Sequence, residues 1–241
     1  MLMRILATGL MAGVLAGVIV AGLQHVTTTP LIIQAETYEK SEGGHEHTHA
    51  PVAPAQDTEA APGSQELADE WSPADGIERT AFTALATVGA AVGFAFILIA
   101  LIVASGATLT TRSGALWGAA AFVATGLAPA LGLPPELPGS AAAELFQRQV
   151  WWVGAVLATG IGLWLIARVS GALAVLLGIA LIVAPHVVGA PHPHEFTSEV
   201  PAELAGHFTA SSLVVHAVLW VLVGSIAGWL WQRGDAQGLA A

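Results

Sequence analysis

The chain has 241 residues, 55% of them hydrophobic and only 10% charged, where a water-soluble domain carries about a quarter charged residues. Too few charges remain to cover a water-facing surface, and 7 Lys+Arg against 17 Asp+Glu, a net charge of −10, exclude a nucleic-acid binder. The absence of cysteine excludes a disulfide scaffold, thiolate metal sites and a cysteine nucleophile. The composition predicts an all-α polytopic membrane helix bundle forming a single integral membrane domain over residues 1–241, with lipid as its first partner.

A membrane helix needs about 20 mostly apolar residues. Six stretches qualify: Ile5–Leu23, Ala81–Ala104, Ser113–Leu133, Val150–Ala167, Gly171–Val188 and Phe208–Trp231, none containing Asp, Glu, Lys or Arg. The fourth and fifth are short and separated only by Arg168, Val169 and Ser170. A five-span arrangement, with one of them in the interface, stands beside the preferred six-span reading. Ile5–Leu23 reads as a retained helix, because no small-x-small cleavage site precedes Gln24 and the apolar run outlasts a signal core. With six spans, Arg4, Arg112, Arg168 and Arg233 share one side. The positive-inside rule makes that side cytoplasmic, together with both termini. It then carries three net positive charges (the four arginines and Asp235), and the outer side thirteen net negative charges (sixteen acids against Lys40, Arg79 and Arg148).

Glycines recur four apart at Gly9/Gly13/Gly17, Gly89/Gly93, Gly114/Gly118 and Gly224/Gly228, a spacing that lets helix backbones approach closely in lipid. Trp117, Trp151, Trp152, Trp220, Trp229 and Trp231 lie near span ends or within a few turns of them, where interfacial anchoring is the default expectation. The first outer connection, Gln24–Thr80, carries eleven acids and two basic residues. Its Ala/Pro/Glu/Gly/His-rich middle cannot bury a core, so disorder is expected over residues 41–65. The second connection, Pro134–Gln149, is expected to turn helical at Ala141–Arg148, with Arg148 paired to Glu136, Glu144 or Glu36. The inner connections are short and hold no Walker-type glycine loop, so no nucleotide is expected. No Gly-x-Ser-x-Gly or zinc-protease motif occurs, so the chain is not expected to be an enzyme.

All nine histidines fall in the outer half. Imidazole suits Zn, Cu, Ni and Co. His45, His47 and His49 alternate in the first loop, where they could fold round one ion or form part of a solvated linker. His25 ends the first span, His192 and His194 follow the fifth, and His207 precedes the sixth. His186 lies near the end of the fifth span and His216 about two turns into the sixth, on one helix face with Ser212. Pro185 is expected to interrupt the helix just before His186, and Pro191 and Pro193 to keep the following chain extended. Broken backbone at membrane depth is tolerated where it lines a cavity, and an ionisable group there is a functional candidate, although a lone histidine can equally bond a backbone carbonyl.

Four stretches resemble the CbtA-type family of proposed cobalt transporter subunits. They are Gln24 with Pro30-Leu31-Ile32 and Ala35-Glu36-Thr37-Tyr38-Glu39; Pro135-Glu136-Leu137-Pro138-Gly139 with Arg148-Gln149-Val150-Trp151-Trp152; Pro185-His186-Val187-Val188-Gly189-Ala190-Pro191; and Val200-Pro201-Ala202-Glu203-Leu204 with Phe208 and Ser211-Ser212-Leu213. The resemblance implies a bacterial inner-membrane protein linked to cobalt uptake for cobalamin synthesis. It also implies a small one-span CbtB-type partner subunit; a second copy of the chain is a further candidate partner. It adds Glu36 as a carboxylate ligand beside His25, His45, His47, His49, His186, His192, His194, His207 and His216. The expected substrate is Co²⁺, with Ni²⁺ and Zn²⁺ open, since ligand type narrows only the metal class. The alternative function is a metal-binding accessory or sensor that does not conduct.

Overall fold

The computed structural model describes residues 1–42, 73–74, 76–193 and 198–236, and among these the secondary structure is entirely helical. The helices are α1 (Leu2–Val26), α2 (Thr28–Glu42), α3 (Ile77–Ala104), α4 (Thr111–Phe122), α5 (Ala128–Ala130), α6 (Leu145–Arg168), α7 (Ala172–Val188) and α8 (Ala202–Ala236), with a π-helical turn, Val123–Leu127, joining α4 to α5. Five helical runs are long and apolar enough to cross a membrane: α1, α3, the continuous Thr111–Ala130 run, α6, and α8 over Ala202–Gly234. The molecule is a multi-pass membrane protein. Leu10, Ile19, Leu101, Leu157 and Leu176 stand exposed on its sides, as lipid-facing residues must.

The sixth apolar stretch forms α7, only 17 residues long, or about 25 Å at 1.5 Å per residue, less than the ~30 Å hydrocarbon core. Its limits are set by Gly171 (φ 112°) and Gly189 (φ 86°), backbone conformations that only glycine takes at little cost. α7 folds back along α6: Gly162 and Gly178 abut, and Trp151 Nε1 donates to the Pro185 carbonyl at 3.2 Å. Contrary to expectation, the helix runs through Pro185 and ends three residues later, at Val188. The second connection also differs. Residues 141–144 are not helical, and α6 begins at Leu145, where the Glu144 carboxylate accepts from the Phe146 and Gln147 amides at 2.8 and 2.9 Å. This cap satisfies two of the N–H groups that a helix start leaves without partners.

The bundle is built from glycine-mediated pairs. A Cβ at Gly13 or Gly17 of α1 would run into the Cα of Val92 or Val88 on α3, and one at Gly114 of α4 into the Gly224 carbonyl of α8. Such approach is the source of van der Waals cohesion where lipid is as apolar as the side chains. Gly89 and Gly93 face open space; α3 turns Ala91, Ala95, Leu98, Ile99 and Ile102 inward instead. The α1–α3 and α4–α8 pairs meet through α8, whereas the α6–α7 hairpin joins them chiefly through the π-helical turn and α5.

Side-chain contacts tie the four arginine-bearing ends together. Arg4 donates to the Trp231 carbonyl at 2.6 Å, Arg168 donates to the Ser105 carbonyl, the Thr111 amide donates to Gln232 Oε1 at 2.9 Å, and Arg233 lies 3.9 Å over the Trp229 ring. At the opposite end, a second apolar cluster gathers Leu31, Ala35, Leu137, Val200, Leu204 and Phe208. Three of the four family-like stretches supply it, which makes them the packed cap of the bundle. The expected disorder over 41–65 lies, apart from its first two residues, outside the described residues.

Candidate functional site

The irregular backbone at membrane depth is the π-helical turn, and its cause is local. Pro129 has no N–H, so the Thr125 carbonyl loses its donor four residues on. The helix widens instead, and the Ala128 amide bonds the Val123 carbonyl five residues back. π-turns of this kind often mark functional sites. Between this turn, the start of α6 and the first turns of α8 lies a cleft of about 450 Å³. Thr125, Glu136, Arg148, Gln149, Ser212 and His216 contribute its polar groups. Arg148 pairs with Glu136 at 2.7 Å, which resolves the choice of partners left open by the sequence. Ser212 and His216 line the cleft together, as their i, i+4 spacing predicts.

His216 is held by aromatic rings on several sides. Trp220 Nε1 donates to its Nε2 at 2.9 Å. Phe94 lies stacked at 6.5 Å and Phe122 edge-on at 5.9 Å, centroid to centroid. Trp220 is itself only 3% exposed and stacks on Phe94 at 4.7 Å. It is a core residue, not the interfacial anchor expected. The other imidazole nitrogen, Nδ1, faces Gly126, where a Cβ would come within 2.9 Å of it.

The remaining candidates are dispersed. His186 rests edge-on against Trp151 at 5.9 Å, with its Nε2 buried and without a hydrogen-bond partner. His192 and His207 are exposed. His25 and Glu36 line a different, larger cleft of about 1,190 Å³ between α1, α2 and α3, where the Arg79 guanidinium holds both Glu36 oxygens. His45, His47, His49 and His194 lie outside the described residues. Among the described residues, no three of His, Cys, Asp and Glu are gathered where they could hold a metal ion. The π-helical turn and the role of Trp220 were missed in the sequence, although Pro129 inside a span and the His216–Trp220 spacing were signals for them.

The family model of a probable cobalt transporter subunit, CbtA, matches residues 2–232, from the first helix almost to the end of α8. The chain belongs to the CbtA family. No curated protein and no solved structure matches it. As a CbtA-family member the chain is a membrane transport subunit, and cobalt is the metal that the family's description names. The match takes in the π-helical turn, the cleft and both ends of the bundle.

Proposed function

We propose that this subunit takes up a divalent transition metal, cobalt first, from the outer side of a bacterial inner membrane, through the cleft that ends at His216. The observation that carries this reading is the convergence of Gln149, Ser212, His216 and the Glu136–Arg148 pair on one opening beside a π-helical turn, at the end away from the four arginine-bearing turns. A transported ion needs sites firm enough to enter and weak enough to leave, so a sparse set of donors suits passage better than a closed four-ligand cage would. His45, His47, His49, His192 and His194 serve to gather cations in the acidic outer segments; His25 and the Arg79-paired Glu36 line their own cleft, His207 is exposed, and His186 is a second deep imidazole. Inward movement down the membrane potential contributes about 2.3 kcal/mol per charge per 100 mV.

One observation favours the non-conducting accessory reading. Beyond Trp220 the core is closed by Leu98, Ile99, Ile102 and Val223, all almost fully buried, and α4 and α8 touch backbone to backbone there. In our reading a one-span partner subunit, or movement of the α6–α7 hairpin, completes the path.

The test is uptake of labelled cobalt by cells carrying the chain, with and without that partner. His216→Ala should lower uptake at least about ten-fold at every cobalt concentration, since losing even an outer-shell partner of a metal ligand costs about 10- to 100-fold. Deletion of residues 43–65 should lower it only at low cobalt. Equal uptake by all variants would overturn the site assignment.

A further inference from the structure

The hydrogen bond at His216 constrains what that imidazole can do. An indole nitrogen is a donor only. Trp220 Nε1–H therefore occupies the lone pair of His216 Nε2, and the proton of the neutral ring sits on Nδ1. A cation approaching the ring has two routes. At Nε2 it needs the lone pair that Trp220 holds. At Nδ1 it needs the proton moved to Nε2, which then confronts the indole N–H, donor against donor. Both routes break the same bond.

We infer that Trp220 is a positioning residue that competes with the metal for His216, so that ligation of an ion by His216 and the Trp220–His216 hydrogen bond exclude each other. The inference rests on the proposed role of His216 in taking up the ion. It gives the indole a function that packing alone does not require. Trp220 lies one helical turn beyond His216 toward the arginine end, and its backbone abuts Gly118 of α4. It stacks on Phe94, so the group that blocks the lone pair is also part of the closed core. An arriving ion frees the indole at the point where the path would have to open. The competition also keeps the site weak, as release of the ion demands.

Two measurements test this on the purified full-length chain in lipid nanodiscs. In the first, Zn²⁺, which is diamagnetic, is titrated while the indole ¹H–¹⁵N resonances are followed, Trp220 being assigned from Trp220→Phe. The Trp220 signal should move upfield with loss of its acceptor, in step with Zn²⁺ occupancy, and the shift should vanish in His216→Ala. In the second, Co²⁺ affinity is measured calorimetrically. Trp220→Phe keeps an aromatic ring against Phe94 while removing the donor together with the second ring of the indole, and should bind Co²⁺ about three- to ten-fold more tightly, the worth of one ordinary net hydrogen bond. If metal binding is unaffected by His216→Ala, the uptake site itself is wrong. If binding depends on His216 while the wild-type Trp220 resonance stays in place, the competition is overturned whatever Trp220→Phe does.

Discussion

At the scale of single residues, the site depends on one absent side chain. Gly126 leaves room for His216 Nδ1, and a Cβ there would lie 2.9 Å from that nitrogen and 3.0 Å from two ring carbons of Phe122. Neither ring can shift by a few tenths of an ångström without disturbing the other, because they meet edge to face. Gly126→Ala should therefore weaken Co²⁺ binding about three-fold or more, roughly 0.7 kcal/mol. Its unfolding temperature should fall only moderately, since the helix preference of alanine, up to about 1 kcal/mol, offsets part of the crowding. Calorimetric titration beside a melting curve checks both, and unchanged affinity would mean that Nδ1 has no part in the site. His216 was legible in the sequence because an imidazole inside an apolar run is rare. Its tryptophan partner was not, because six tryptophans near span ends invite one explanation for all, and only packing separates Trp220 from Trp229. Glu36 shows the converse: its acidity was legible, but the Arg79 that engages it lies 43 residues away in sequence.

At the scale of helices, glycine spacing announced close packing without saying which faces meet. The same small-xxx-small pattern covers Gly224, which abuts the Gly114 backbone, and Gly93, which faces open space. A spacing rule reads one helix at a time, whereas an interface needs two. Gly224→Val should thus force α8 away from α4 and lower stability by about 1–3 kcal/mol, the usual cost of overpacking. Gly93→Ala, with open space around it, should cost nothing and gain up to about 1 kcal/mol of helix preference. Thermal unfolding in mild detergent, read by loss of the monodisperse peak, distinguishes them, and equal stability would refute the backbone contact. The length of α7 shows the same limit. Its apolar run marks a membrane segment, but Gly171 and Gly189 cut it to 17 residues, so hydropathy alone left five and six spans open. Pro185 was misread because a proline removes one hydrogen bond without having to end a helix whose neighbours hold it. The proline that did reshape its helix was Pro129, where widening into a π-turn offered a way to keep the helix continuous.

At the scale of the whole molecule, charge sets direction. The four arginine-bearing ends are brought together by contacts such as Arg4 to Trp231 and Arg168 to Ser105, while the pairs Glu36–Arg79 and Glu136–Arg148 lie at the other end. Under the positive-inside rule the proposed reading puts the arginine side in the cytoplasm. The proposed uptake reading then follows a single sense: cations are concentrated by the acids outside, admitted at the cleft, and drawn inward by the potential. The reverse orientation would point the cleft at the cytoplasm and make the same histidines an exit. Because the chain has no cysteine, single-cysteine variants report on sidedness without background. Thr37→Cys on α2 and Ala142→Cys before α6, both at exposed positions, should react with a membrane-impermeant maleimide in intact cells. Ser170→Cys, exposed in the turn between α6 and α7, should react only after lysis. It also decides the crossing number, because an α7 that failed to return to the outer side would put its His186 end on the same face as Ser170. A second impermeant probe at Val188→Cys, exposed at the end of α7, should therefore label from outside. Labelling of Ser170→Cys and Val188→Cys from the same side would reduce the spans to five, start α8 on that side, and so remove both His186 and the His216 cleft from the outer half, overturning the proposed entry route.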